Sequence, residues 1–160
     1  MISTKGRYAV RVLADLAEHG KDGLVPLRDV SQRQSISVKY LQHITKLLVI
    51  RGILVGVSGK GGGYRLARPA EETNVFDVLE AAEGTMAPVA CLVEGSPSCE
   101  RADSCSTLSL WSRYYALMRA FFEGITVADI VNGTIGEKSF PDLATPAGEG
   151  SGEPCDVRLS

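Results

Sequence analysis

No stretch of this 160-residue chain approaches the ~18 consecutive apolar residues of a membrane span. Its opening residues, MISTKGRYAV, carry no apolar signal core and no small-residue cleavage site. These absences lead to the expectation of a cytoplasmic protein with no membrane partner. Histidine is scarce, with only His19 and His43. Neither lies beside a cysteine, so no ordinary Cys/His nucleophile pair is available and no enzyme is expected. The glycine run GKGGGY does not match the G-x-x-x-x-G-K-[ST] of a phosphate loop, and it lacks the strand-then-helix setting such a loop needs. Acids are sparse at one end. Residues 1–68 hold twelve Lys/Arg against four Asp/Glu, a net of +8, whereas residues 69–160 carry a net of −10. A basic half of this kind is the electrostatic footprint of a polyanion partner, which weighs against a DNA-free adaptor. Aromatics are only 6% of the chain, yet five of them fall between Trp111 and Phe122.

The periodicity of the basic half predicts three helices and a hairpin. Ser3 and Thr4 cap a helix over about residues 4–19, with Ala9, Val12, Leu13 and Leu16 on one face and Gly20 as the stop. Pro26 suits the first position of a short second helix. Ser37 caps a third helix reaching about Ile50, whose apolar stripe is Leu41, Ile44 and Leu48. Its opposite face presents Lys39, Gln42, His43 and Lys46 at helical spacing. GILVGV and YRLAR then flank a glycine-rich turn, the pattern of a hairpin. This order is that of a winged helix-turn-helix, in which the third helix reads double-stranded DNA and the hairpin is the wing. Tyr40 and Gln42 suit base edges, Lys39 and Lys46 suit phosphates or guanine, and Ser37 suits a phosphate at the helix start. Ser58, Gly59 and Lys60 form a wing tip narrow enough for a minor groove.

In the acidic half, Asn74 caps a fourth helix. Trp111, Tyr114, Tyr115, Met118, Phe121, Phe122 and Ile125 then form an apolar seam, wide for so small a core. A second copy of the chain is its natural cover, with an intramolecular core helix as the alternative. Between these helices lies CLVEGSPSCERADSC, which spaces Cys91, Cys99 and Cys105 as C-x7-C-x5-C. Three thiolates this close suit an iron–sulfur cluster first, with zinc or a metal-free redox switch as the alternatives. A reducing cytoplasm argues against a structural disulfide. Only three sulfurs converge, leaving Glu94, Glu100 and Asp103 as candidate fourth ligands, together with a solvent or thiol molecule. The fourth cysteine, Cys155, lies in a Gly-, Pro- and Ser-rich segment.

The segments STKGRYAV, ISVKYLQHI and GKGGGYRLAR, followed by a three-cysteine loop and LW, resemble the winged-helix bacterial regulators typified by IscR, NsrR, RirA and CymR. The resemblance covers residues 1–132. It implies a mainly α fold with a small β-hairpin wing: a winged helix-turn-helix over 1–68, and a cysteine loop with a long dimerisation helix over 69–132. Residues 133–160 read as a disordered tail. The implied function is that of a homodimeric transcription factor, usually a repressor, on a palindromic promoter operator. Tyr40, Gln42 and His43 then occupy recognition-helix contact positions, and Ser58 to Lys60 the wing-tip positions. The cysteine spacing resembles that of the iron-responsive RirA, which implies a cubane cluster on three cysteines and a signal of iron, oxygen or nitric oxide. A 2Fe–2S cluster, zinc or no metal stay open. Two fourth ligands known in the family are missing, since Leu108 stands where IscR-like members carry histidine and Arg7 where NsrR-like members carry aspartate. Ser58 likewise replaces the IscR-like wing arginine, and Gln42 the recognition-helix glutamate.

Overall fold

A computed structural model describes residues 2–20, 23–97 and 99–138. Helix α1 (Thr4–His19) starts where the Ser3 hydroxyl accepts a hydrogen bond from the Lys5 amide at 3.1 Å. It buries Ala9, Val12, Leu13 and Leu16 and ends at Gly20. Pro26 is the N-cap of α2 (Leu27–Gln34), one residue earlier than the predicted first helical position. The turn from α2 into α3 (Val38–Ile50) passes through Ser35 with φ 55°, and the Ser31 hydroxyl donates to the Ile36 carbonyl at 2.6 Å. Ser37 caps α3 through the Tyr40 amide, and Leu41, Ile44 and Leu48 point inward as the stripe requires.

Strands β1 (Leu54–Val57) and β2 (Gly63–Leu66) pair antiparallel, with Leu54 opposite Leu66 and Val57 opposite Gly63. Val25 exchanges two 2.9 Å backbone hydrogen bonds with Tyr64, which ties the hairpin to the segment entering α2. At the tip Gly59 and Gly61 adopt φ 104° and 78°, values that favour glycine and let the wing turn tightly. The result is mainly helical with a two-stranded wing, the predicted fold class. One continuous core joins α1, α2, α3 and the hairpin to α4 (Val75–Glu83).

The acidic half departs from expectation in two places. Helix α5 (Leu108–Glu123) stops at Gly124, so Ile125 is not the last rung of a helical seam. It is buried instead, and its carbonyl accepts from the Val75 amide at 2.9 Å. A short α6 (Val127–Asn132) follows, started by a reciprocal capping box between Thr126 and Asp129. Six residues are too few to show a helical period. Residues 134–138, expected within a disordered tail, are ordered, and residues 139–160 lie outside the described residues. Thr134–Glu137 is a 3-10 turn, and Lys138 Nζ lies 2.8 Å from Asp129. Cys155 lies outside the described residues.

Candidate nucleic-acid interface and cysteine loop

Because Leu41, Ile44 and Leu48 turn inward, helical geometry forces Lys39, Gln42, His43 and Lys46 outward, and all four are exposed. Ser37 at the helix start is exposed as well, as are Ser58, Gly59 and Lys60 at the wing tip. Tyr40 differs from its neighbours. Its ring is half-buried and meets Tyr8 of α1 edge to face, with ring centroids 5.8 Å apart and an interplanar angle of 88°.

Sequence reasoning missed the clamp that fixes α2 against α1. Asp15 of α1 is buried, and its carboxylate accepts from Arg33 at 2.6 and 3.0 Å and from Gln34 at 2.8 Å. Burial pushes the Asp15 carboxyl up, but the Arg33 and Gln34 hydrogen bonds and the Arg33 charge outweigh it and hold the group below its ordinary value. A lone acid on the inner face of an otherwise apolar helix was the available signal. Its partners, eighteen and nineteen residues away, were not.

The cysteine loop runs from α4 to α5 with little regular structure. Cys91 sits inside the 3-10 turn Ala90–Leu92, the Cys99 carbonyl accepts from the Ala102 amide at 2.9 Å, and Cys105 ends the turn Ala102–Ser104. All three thiols are free and exposed. The Thr107 hydroxyl 3.5 Å from Cys105 Sγ lowers that thiol's pKa, aided by the Thr107 and Leu108 amides and by Arg101. Among the described residues no three His, Cys, Asp or Glu side chains gather at metal-binding distance. Cys91, Cys99, Cys105, Glu94, Glu100 and Asp103 are therefore neighbours in one loop but not an assembled site. The donor set nonetheless suits an iron–sulfur cluster: three free, exposed thiols on one loop, none in a disulfide.

No residue of α5 is buried within a single chain. Trp111, Tyr114 and Phe121 are exposed, Tyr114 at 52%, while Tyr115, Met118 and Phe122 are half-buried. The end of α5 also borders an apolar cavity of about 540 Å³, whose other walls come from α1, α4 and α6.

A family model for Rrf2, described as an iron-dependent transcriptional regulator, matches residues 2–133. The chain belongs to the Rrf2 family. The HTH-type transcriptional regulator IscR of Serratia proteamaculans is 37% identical over 131 residues, which cover 82% of this chain and 79% of the relative. IscR of Yersinia enterocolitica is similar to the same extent. Among solved structures, the global cysteine regulator CymR of B. subtilis superposes with a TM-score of 0.66 at 26% identity, covering 83% of this chain and 97% of CymR. T. potens IscR gives 0.65 at 29% identity, with 89% and 93% covered. This Rrf2 protein is thus a transcriptional regulator of the IscR type, in a DNA-binding, non-enzymatic family. Among its described residues no helix is long and apolar enough to cross a membrane.

Proposed function

We propose that this Rrf2 protein is a homodimeric repressor of palindromic promoter operators, whose DNA affinity is set by an iron–sulfur cluster held on Cys91, Cys99 and Cys105. The observation that carries the sensing role is the set of three free, exposed thiols on one loop between α4 and α5. Exposed thiolates suit a cluster that oxygen, nitric oxide or iron scarcity can reach. Glu94, Glu100 and Asp103 are the loop's remaining donors for a fourth position. When bound, the cluster supplies a redox- and iron-dependent centre. The chain supplies the thiolates and the tether to the helices on either side. Ser37 at the cap of α3 and Lys39, Gln42, His43 and Lys46 along it face the DNA, and Ser58 to Lys60 enter the neighbouring groove. The dimer reading is supported by an aromatic helix with no buried residue.

Anaerobic purification with absorption spectroscopy and counts of iron, sulfide and zinc tests the cofactor. Gel shifts of loaded and stripped protein on promoter fragments at fixed salt test the coupling. Iron and sulfide in proportion, with a loaded-to-stripped difference in DNA affinity, are expected. A colourless protein with one zinc per chain would overturn the cluster. A second reading is a zinc-binding or metal-free thiol-responsive regulator of the same fold. It draws support from the exposed, free Cys105 thiol beside the Thr107 hydroxyl.

A further inference from the structure

One face of α1 reaches the reading head through side chains rather than through the core alone. Tyr8, Arg11 and Asp15 follow one another at helical spacing along it. Tyr8 carries the half-buried ring of Tyr40, which belongs to the first turn of α3. Arg11 lies with its guanidinium 5.5 Å from the centre of the Tyr8 ring, a cation–π contact. The same guanidinium donates to the last residue of α2, through Nε to Gln34 Oε1 at 3.0 Å and through a terminal nitrogen to the Gln34 carbonyl at 2.7 Å. Gln34 in turn donates to the buried Asp15. The helix-turn-helix bend between Gln34 and Ser37 is therefore held at both ends by α1: at its α2 end by Arg11 and Asp15, at its α3 end by Tyr8.

We infer that Tyr8 and Arg11 are positioning residues for DNA reading, which fix the angle of the recognition helix without themselves touching bases. The inference rests on the DNA-reading role of α3. The bend itself is tied back to α2 through Ser31, whose carbonyl accepts from the Ser35 and Ile36 amides and whose hydroxyl donates to the Ile36 carbonyl, and Ile36 is buried in the core; the contacts from α1 are the side-chain restraints that act on it from outside the motif. Tilting α3 by a few degrees would misplace Gln42 and His43 against base edges, while Lys39 and Lys46 would still find phosphates. Loss of either restraint should therefore lower sequence discrimination and leave the electrostatic part of binding intact.

The test uses the full chain and duplexes that the wild-type protein selects from a random-sequence library. Affinity is measured for selected and scrambled duplexes across a salt series. Tyr8→Leu should reduce the selected-to-scrambled affinity ratio by about tenfold with an unchanged salt slope. Tyr8→Phe keeps the ring and should keep the wild-type ratio. Arg11→Lys keeps the charge but loses the two-point grip on Gln34, and it should also lower the ratio at constant slope. Arg11 is exposed, so this variant tests the inference even if Tyr8→Leu fails to fold. A wild-type ratio in Arg11→Lys, or a uniform loss on both duplexes with a shallower slope, would overturn the positioning role. The second result would make Arg11 a phosphate ligand. Equal impairment of Tyr8→Phe and Tyr8→Leu would also overturn it, by assigning the phenol a direct contact. If the wild-type protein selects no sequence at all, the DNA-reading role itself fails, which is a distinct outcome.

Discussion

At the scale of single residues, the DNA contacts proposed for α3 divide into base readers and phosphate neutralisers, and the two roles fail differently. Gln42 has an amide suited to adenine, so Gln42→Ala should cost about 1–3 kcal/mol of discrimination at one base step. Lys46→Ala should weaken selected and scrambled DNA alike and lower the salt slope by about one. Uniform losses from both variants would show that the roles are misassigned. Asp15 acts on stability instead. Its carboxylate is buried while Arg33 reaches solvent, so Asp15→Ala removes the acceptor of Arg33 and Gln34 without burying an unpaired charge, and should cost about 1–3 kcal/mol in denaturant unfolding. The pH dependence follows from the lowered pKa values of Asp15, Glu83 and Asp129. A carboxyl with a lower pKa folded than unfolded stabilises the fold above about pH 4 and loses that contribution as the pH falls further. Melting temperature should therefore drop steadily on acidification below about pH 4, and Asp15→Asn should make the drop shallower. An acid melting profile unchanged by Asp15→Asn would remove the clamp from the account.

At the scale of elements, what the sequence made legible was whatever repeats locally. The stripe of Leu41, Ile44 and Leu48, the caps at Ser3, Ser37 and Asn74, and the glycine turn of the wing all carry their signal within a few residues, and all appear where expected. Contacts between distant elements left no such trace. Glu83, at the end of α4, accepts from the Ser3 amide at 2.9 Å, the Ser3 hydroxyl at 2.8 Å and the Gly6 amide at 3.2 Å. It thus places a carboxylate at the positive end of α1. Burial raises its pKa, yet the Ser3 hydrogen bonds and the Lys5 charge hold it low. The Gly6 of STKGRYAV now has a reason, since a Cβ there would collide with the Glu83 carboxylate. Gly6→Ala should push the Glu83 carboxylate off Ser3 and Gly6, a loss that alanine's better helix propensity partly offsets, for a net destabilisation of about 1 kcal/mol readable in a thermal melt. Much of that loss should disappear in the Glu83→Ala background, where the obstruction is gone. Additive losses in the double variant would mean that Gly6 and Glu83 act independently. The short α6 was equally hidden, because a six-residue helix depends on the Thr126–Asp129 box and on packing against α1 rather than on a period. The cysteine loop was legible as a set of donors but not as a geometry, since nothing in C-x7-C-x5-C fixes where a loop of isolated turns brings its thiols.

At the scale of the whole molecule, one reading head is too small a device for a specific operator, and in the proposed dimer α5 is the means of doubling it. Sixteen residues at about 1.5 Å rise make a rod of roughly 24 Å, which leaves Trp111, Tyr114 and Phe121 at the surface of one chain. Two such helices packed about a dyad would bury those rings and set two α3 helices on one side of a duplex. For a helix-turn-helix dimer that arrangement requires half-sites about 10 bp apart, or a multiple of it, related by inversion. Footprinting of the selected DNA should show that dyad. Tyr114 is the most exposed ring of the seam, at 52%, so Tyr114→Arg should oppose dimerisation while leaving the core of each chain untouched. Sedimentation equilibrium should give twice 17.1 kDa for the wild type and 17.1 kDa for the variant. The variant should also lose most of its affinity for the two-half-site duplex while matching the wild type on an isolated half-site, because only the linkage between heads has been cut. A Tyr114→Arg protein that stays at twice the chain mass would place the seam elsewhere than α5. A monomeric variant with full operator affinity would mean that a single head suffices, and that the aromatic helix serves another partner.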